Sequence, residues 1–224
     1  MHTEALTPTL TQLTFPVGQA YLLSDGREAT LVDTGPHGHA DAIRALLGRI
    51  PLRRIVLTHC HGDHTGNAAE LAAWSGAEVL AHQADVAAIG GEAPPPPVFT
   101  ADWEEARYRQ TSVLVPPAPP CRVDTGLTGG EVLPLAGGTR VLPVPGHTPG
   151  SLALLTAAGT LFTGDAVANV ERLSVGVFNA DPAAAVAATR HLATLDFTRA
   201  CFGHGPALHP DAAARFRALA ATLG

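Results

Sequence analysis

The stretch from Leu57 to Gly66, LTHCHGDHTG, holds the residues best suited to chemistry. His59, His61, Asp63 and His64 place three imidazoles and one carboxylate within six residues, directly after the apolar run Ile55-Val56-Leu57. A strand ending in a Gly-containing turn would fan these four side chains around one point beyond the strand end. Neutral imidazole and carboxylate are good ligands for zinc and similar borderline metals. Four such groups are hard to desolvate together without a cation between them. Cys60 lies between two of these residues, but alternation along an extended segment turns it away from His59 and His61, so it is expected to pack rather than react.

Three later positions repeat the plan of apolar strand, then candidate ligand, with small residues allowing close approach. Gly146-His147-Thr148-Pro149-Gly150 is a Gly/Pro-rich turn with His147 at its tip. Phe162-Thr163-Gly164-Asp165 ends in a carboxylate, and Cys201-Phe202-Gly203-His204 ends in an imidazole. Together with the first cluster they supply seven ligands from strand ends. Asp33, in LVDTG, is a further carboxylate at a strand end. Two roles are open to it: a helix cap or turn former, or a group that orients a metal-bound His from behind.

This set, in this order, resembles the metallo-β-lactamase superfamily, whose signature is HxHxDH followed by a separate His, an Asp and a last His. The resemblance runs from LVDTG at residue 31 to GHG at residue 205. It implies an α/β fold, an αβ/βα four-layer sandwich of two facing mixed sheets with helices outside and a metal site at one sheet edge. Position by position, it implies that His59, His61 and His147 hold one metal, that Asp63, His64 and His204 hold a second, and that Asp165 bridges both. Asp33 matches the supporting carboxylate of the family. The implied cofactors are two divalent ions, zinc first, with manganese or iron also suited. Two metals about 3.5–4 Å apart share a hydroxide and aim it at a bound carbonyl. Asp63 is the expected catalytic residue, accepting a hydrogen bond from the hydroxide and later passing a proton to the leaving group.

Within the superfamily, Asp at 165 resembles glyoxalase II-like enzymes and lactonases, whereas the true β-lactamases typically have Cys or Ser there. Only twenty residues follow His204, which weighs against a glutathione thioester, because glyoxalase II carries a C-terminal helical region. The expected reaction is therefore hydrolysis of an ester, lactone or thioester of a small molecule. A mononuclear iron enzyme resembling persulfide dioxygenases is the alternative, since those share THCHxDH and PGHT-type motifs. They normally carry an Arg-Gly-Cys-Gly-type run after the Asp, where this chain reads AVANVERLSVG. A metal-binding protein without turnover is a third reading, and the complete ligand set argues against it.

The elements that must position these residues are legible in outline. LTQLTF, VGQAYLLS and EATLVDTG form a meander, with a turn at Asp25-Gly26. Residues 39–50 carry Ile43, Leu46, Leu47 and Ile50 at helical spacing, and 54–58 form the strand into the first cluster. A helix over 66–74, a strand over 78–81 and a short helix over 86–89 follow, with His82 as a cap or loop residue. The second half has strands at 131–135, 139–144, 151–156, 160–163 and 199–202. Its helices begin at Asp181-Pro182, with Asp as N-cap and Pro at N1, and at about Asp211. His2, His37, His39, His191 and His209 have no ligand-like setting. Residues 90–120 break the pattern: GGEAPPPP and VPPAPP bracket Trp103, Arg107, Tyr108 and Arg109, a stiff excursion read as a pocket wall, with a surface flap or dimer contact as the alternative.

Composition bounds the rest. With 224 residues, 46% hydrophobic and 15% charged, the chain suits one domain spanning 1–224. A net charge of -6 argues against a nucleic-acid partner. All 14 basic residues are Arg, which excludes Schiff-base chemistry and a P-loop lysine. Three widely spaced Cys do not make a disulfide framework. The apolar runs are too short and broken to span a bilayer, and MHTEALTPTL lacks a signal-peptide pattern, so the cytoplasm is the expected location. A small-molecule substrate is the expected partner, and a homodimer a fair expectation.

Overall fold

The computed structural model describes residues 1–223. The chain folds as two compact units, residues 1–94 with 110–127, and residues 95–109 with 128 onward.

The first unit is built on seven strands: β1 (His2–Thr7), β2 (Leu10–Thr14), β3 (Gln19–Ser24), β4 (Ala29–Val32), β5 (Leu52–Val56), β6 (Glu78–His82) and β7 (Thr125–Leu127). They lie in the sheet in sequence order. β1 to β4 pair antiparallel through short turns, and β4 to β7 pair parallel. The change of direction follows from the connections, since a parallel step needs a crossover and helices supply it. Helix α1 (Ala40–Leu47) buries Ala40, Ile43 and Leu47. After α2 (Gly62–Thr65), helix α3 (Ala68–Ser75) buries Ala68 and Leu71 and ends at Gly76, whose left-handed φ of 71° lets its N–H reach the Ala72 carbonyl. These faces join Leu13, Leu31, Ile55, Leu57 and Val79 in one core. Burying each such large side chain contributes about 1.5–3 kcal/mol. The short helix α4 (Val86–Ile89) follows β6.

The polypeptide passes from one unit to the other within α5 (Asp102–Ser112). The second unit holds β8 (Val132–Leu133), β9 (Thr139–Pro143), β10 (Leu152–Thr156), β11 (Thr160–Phe162) and, after the hairpin β12 (Val167–Asn169) and β13 (Leu173–Val175), β14 (Arg199–Cys201). The five-stranded sheet runs β14-β11-β10-β9-β8, with β11 and β14 parallel and its other pairs antiparallel. Helix α6 (Pro182–Ala193) starts as expected, with the Asp181 side chain accepting from the Ala184 N–H at 2.9 Å. With α7 (Ala212–Thr222) it covers a core in which Phe216 packs 5.1 Å from Phe197 and 6.2 Å from Phe202.

Several elements differ from the sequence expectation: β1, β7 and the β12–β13 hairpin were not expected as strands, and the 90–120 excursion contains a helix. β1 was not expected: its HTEALT is largely exposed, so it carries no apolar alternation and exists by pairing with β2. The excursion is not a plain loop, because α5 forms between its Pro-rich flanks. The Glu104 carboxylate accepts from the Thr100 hydroxyl at 2.9 Å and the Ala101 N–H at 3.1 Å, a capping arrangement at the helix start. No apolar stripe announces α5, and Trp103 on it is 57% exposed.

Candidate metal centre

In the first unit, β5 runs into Leu57-Thr58-His59, and α2 follows with His61 at its N-cap and Asp63 and His64 in its single turn. The fanning expected of this stretch is present. The His59 ring lies 4.9 Å from that of His61 and 4.2 Å from that of His64, and His64 Nε2 is 3.6 Å from Asp63 Oδ2. His59, Asp63 and His64 are buried. Gly18 makes room here, since a Cβ on it would sit 2.8 Å from the Asp63 carbonyl oxygen.

Hydrogen bonds place a proton on Nδ1 of two of these rings, His59 and His64. Asp33 Oδ1 accepts from the Thr58 N–H at 2.7 Å, and Oδ2 accepts from the Thr58 hydroxyl at 2.8 Å and from His64 Nδ1 at 2.9 Å. A carboxylate only accepts, so His64 is protonated on Nδ1 and its Nε2 carries the lone pair. The single Thr58 proton is committed to Asp33, so its oxygen accepts from His59 Nδ1 at 3.0 Å, and His59 Nε2 is likewise a lone-pair donor. Of the two roles open to Asp33, the structure shows the orienting one, directly for His64 and through Thr58 for His59. Asp33 adopts φ 60°, a left-handed conformation that Asp tolerates better than most residues.

In the second unit, His147 follows β9, Asp165 follows β11 and His204 follows β14. One oxygen, Asp165 Oδ2, lies 3.5 Å from His147 Nε2 and 3.2 Å from His204 Nε2. His147 Nδ1 donates to the Val177 carbonyl at 3.1 Å, so its Nε2 also presents a lone pair. The close approach of His147 to α6 depends on Gly146. It has φ 140°, and a Cβ there would lie 2.3 Å from the Ala185 backbone nitrogen. Gly146→Ala is therefore expected to destabilise by about 3 kcal/mol, a drop in Tm of roughly 6–12 °C in thermal melts. An unchanged melt would mean that the α6 N-terminus does not constrain this turn.

The donor set fits metal ions. His64 Nε2 lies 3.6 Å from a carboxylate oxygen in the first unit and His147 Nε2 lies 3.5 Å from another in the second. Imidazole with carboxylate is borderline-metal chemistry. Each of the seven expected ligands belongs to a group of His and Asp side chains that could hold a metal ion.

Sequence reading missed three supports. Buried Asp85 accepts the Cys60 N–H at 3.0 Å and so pins the loop between His59 and His61. Asn169 donates its N–H to the His204 carbonyl at 3.0 Å and its side-chain amide to the Pro206 carbonyl at 2.7 Å. The third is the Val177 carbonyl. None belongs to a motif, and all three act through backbone groups whose meeting only the fold decides.

The remaining residues behave as expected. Burial foremost, then the nearby Asp85 charge, pushes the Cys60 thiol well above its ordinary pKa; burial and Asp124 push Cys121 up to about 11, and burial raises Cys201. All three are buried free thiols, unsuited to nucleophilic work near neutral pH. His82 caps the 3₁₀ turn at 83–85 by accepting from the Ala84 N–H. His37, His191 and His209 are exposed, and His39 packs on the Phe15 ring. No helix of the described residues is long and apolar enough to cross a membrane.

The Lactamase_B family, described as the metallo-beta-lactamase superfamily, matches residues 13–204. The hydroxyacylglutathione hydrolase of Anaeromyxobacter dehalogenans (strain 2CP-C) is 42% identical over 146 residues, 65% of this chain and 44% of the relative. The chain spans about half the length of the hydroxyacylglutathione hydrolases that it matches. The metallo-beta-lactamase family protein TTHA1429 from Thermus thermophilus aligns with a TM-score of 0.72 at 27% identity, over 97% of this chain and 80% of that one. TTHA1623, solved in a di-iron-bound form, aligns with a TM-score of 0.67 at 28% identity, over 93% of this chain and 94% of that one. The α/β fold class expected from the resemblance is the one these neighbours have. Metal-dependent hydrolysis is the class of chemistry that the family match and the hydrolases among the relatives support. With its matched span covering every residue from Asp33 to His204, the chain belongs to the metallo-β-lactamase superfamily.

Proposed function

We propose that both units together make one metallo-β-lactamase-fold domain, and that it is a binuclear hydrolase acting on the ester, lactone or thioester bond of a small molecule. His59, His61 and His147 would hold one ion, and Asp63, His64 and His204 the other, with Asp165 shared. The observation that carries this reading is the single Asp165 oxygen facing two imidazole nitrogens at 3.5 and 3.2 Å, the disposition of a carboxylate that serves two ions. Zinc is the proposed ion. A relative solved with two irons supports the binuclear count, and iron or manganese suits the same donors.

When bound, such ions supply a nucleophilic hydroxide near neutral pH and polarise the scissile carbonyl. The chain's own residues do the rest. Asp33, Thr58 and the Val177 carbonyl hold three imidazoles in the tautomer that offers Nε2. Asp63, buried beside His64 Nε2, is placed to take a proton from the attacking water and return it to the departing oxygen or sulfur. Thioesters are the first substrates to try, because relatives named hydroxyacylglutathione hydrolase recur among the matches.

Metal content per chain, measured on protein purified without added metal, tests this directly. About two ions are expected, falling to about one in His204→Ala, with hydrolysis in a panel of lactones, esters and thioesters. A single iron unaffected by His204→Ala would replace this reading with a mononuclear oxygenase.

A further inference from the structure

The loop after β13 touches the expected metal ligands on two sides. The Val177 carbonyl accepts from the His147 ring at 3.1 Å, and the Ala180 N–H donates to the His147 carbonyl at 3.2 Å. A Cβ on Gly176 would lie 1.8 Å from the Asp165 carbonyl oxygen, so the loop also packs against the backbone of the shared carboxylate. Between these anchors stands Phe178, a bulky residue at φ 60°, where an L side chain is strained and Gly or Asn is the ordinary occupant.

Phe178 does not stand alone. The Asn179 carbonyl accepts the Val98 N–H at 2.8 Å, which ties the segment before α5 to this loop. Tyr108, on α5, packs edge-on to Phe178 with ring centroids 5.3 Å apart, and Phe99 lies 5.7 Å from Tyr108. The result is a continuous row of three aromatic rings, each partly open to solvent, beside a loop hydrogen-bonded to His147. A row of this kind satisfies no core, because its rings are not buried. Keeping Phe in a conformation that disfavours it makes sense when the ring itself is used.

We infer that Phe99, Tyr108 and Phe178 form a wall that receives an apolar, aryl or alkyl, portion of the substrate beside the scissile bond. This rests on the hydrolase reading above for the identity of that bond. The row offers ring faces and edges and one phenol. It therefore selects for hydrocarbon surface and stacking rather than for the charges of a polar conjugate.

The test is calorimetric titration of the metal-loaded protein with acetate, hexanoate and 3-phenylpropanoate, the acid halves of a matched ester and thioester series. Hexanoate and 3-phenylpropanoate are expected to bind at least about tenfold more tightly than acetate. That ratio should fall to within about threefold in Phe178→Asn and in Tyr108→Ser. Because Asn tolerates the left-handed backbone, Phe178→Asn is also expected to melt no lower than the native protein. Equal affinity for all three acids in the native protein, or a ratio unchanged in both variants, overturns the wall. Selective binding with no turnover of any matched phenyl ester or thioester leaves the wall standing and sinks the hydrolase. Turnover without selectivity does the reverse.

Discussion

Asp33→Ala is expected to be among the most damaging single substitutions in the first unit, although Asp33 is not itself a ligand. It removes the acceptor for three groups at once: the Thr58 N–H, the Thr58 hydroxyl and His64 Nδ1. Asp33, Thr58 and His64 are all buried, so water does not readily replace the lost carboxylate. Each unsatisfied buried donor costs about 1–3 kcal/mol, and partial relaxation brings the sum to about 3–5 kcal/mol, or roughly 6–20 °C in Tm. Ala also sits poorly at φ 60°. The metal consequence is separate. Without Asp33 the proton of His64 is no longer held on Nδ1, and loss of such a support typically lowers metal affinity about 10–100-fold. Asp33→Asn separates the two effects. It keeps the size, tolerates the backbone and retains one acceptor, so it should melt closer to the native protein while still binding metal more weakly. Thermal melts with and without metal, alongside competitive metal titration, measure both. An Ala variant with native stability and native metal affinity would remove the orienting role.

The candidate ligands were far more legible in the sequence than their surroundings. His59 to His64 were readable as a cluster because a local spacing and an apolar run are enough to place four side chains around a strand end. The three later candidates were readable because each ends a short apolar strand beside glycine. Asp33 could be found but not assigned, because its partners lie 25 and 31 residues away and only pairing of β4 with β5 brings them within reach. Asp85, Asn169 and the Val177 carbonyl were not visible at all, since support through a backbone group leaves no mark on residue type. The aromatic row shows a further limit. Trp103, Arg107, Tyr108 and Arg109 were read together as a wall, yet on α5 the helical period divides them. Tyr108 packs on Phe178, Trp103 is exposed, and Arg109 pairs with Glu105 one turn back at 2.6 Å.

Asp165→Asn is expected to abolish most activity and to reduce metal binding while changing the stability of the metal-free protein little. In the native chain one Asp165 oxygen faces His147 Nε2 at 3.5 Å and His204 Nε2 at 3.2 Å. Asn replaces the anion with an amide that can donate a hydrogen bond to either ring nitrogen. Because the amide matches the carboxylate in size and keeps a hydrogen bond to a ring, the apo variant should melt within about 2–4 °C of the native protein. On the binuclear reading, the same change removes the negative charge that two neighbouring dications would share, so the variant should retain no more than one ion per chain. Added metal should then raise its Tm less than it raises that of the native protein. Hydrolysis should fall by at least the 10²–10³-fold that loss of one electrostatic stabiliser costs in other enzymes. Loss of bound metal without loss of apo stability is what distinguishes a functional carboxylate from a structural one. If Asp165 served only to tie two loops together, Asp165→Asn would lower the apo Tm and leave the number of bound ions unchanged. Differential scanning on chelator-treated and metal-loaded samples of both proteins, with metal counted on each, decides between them.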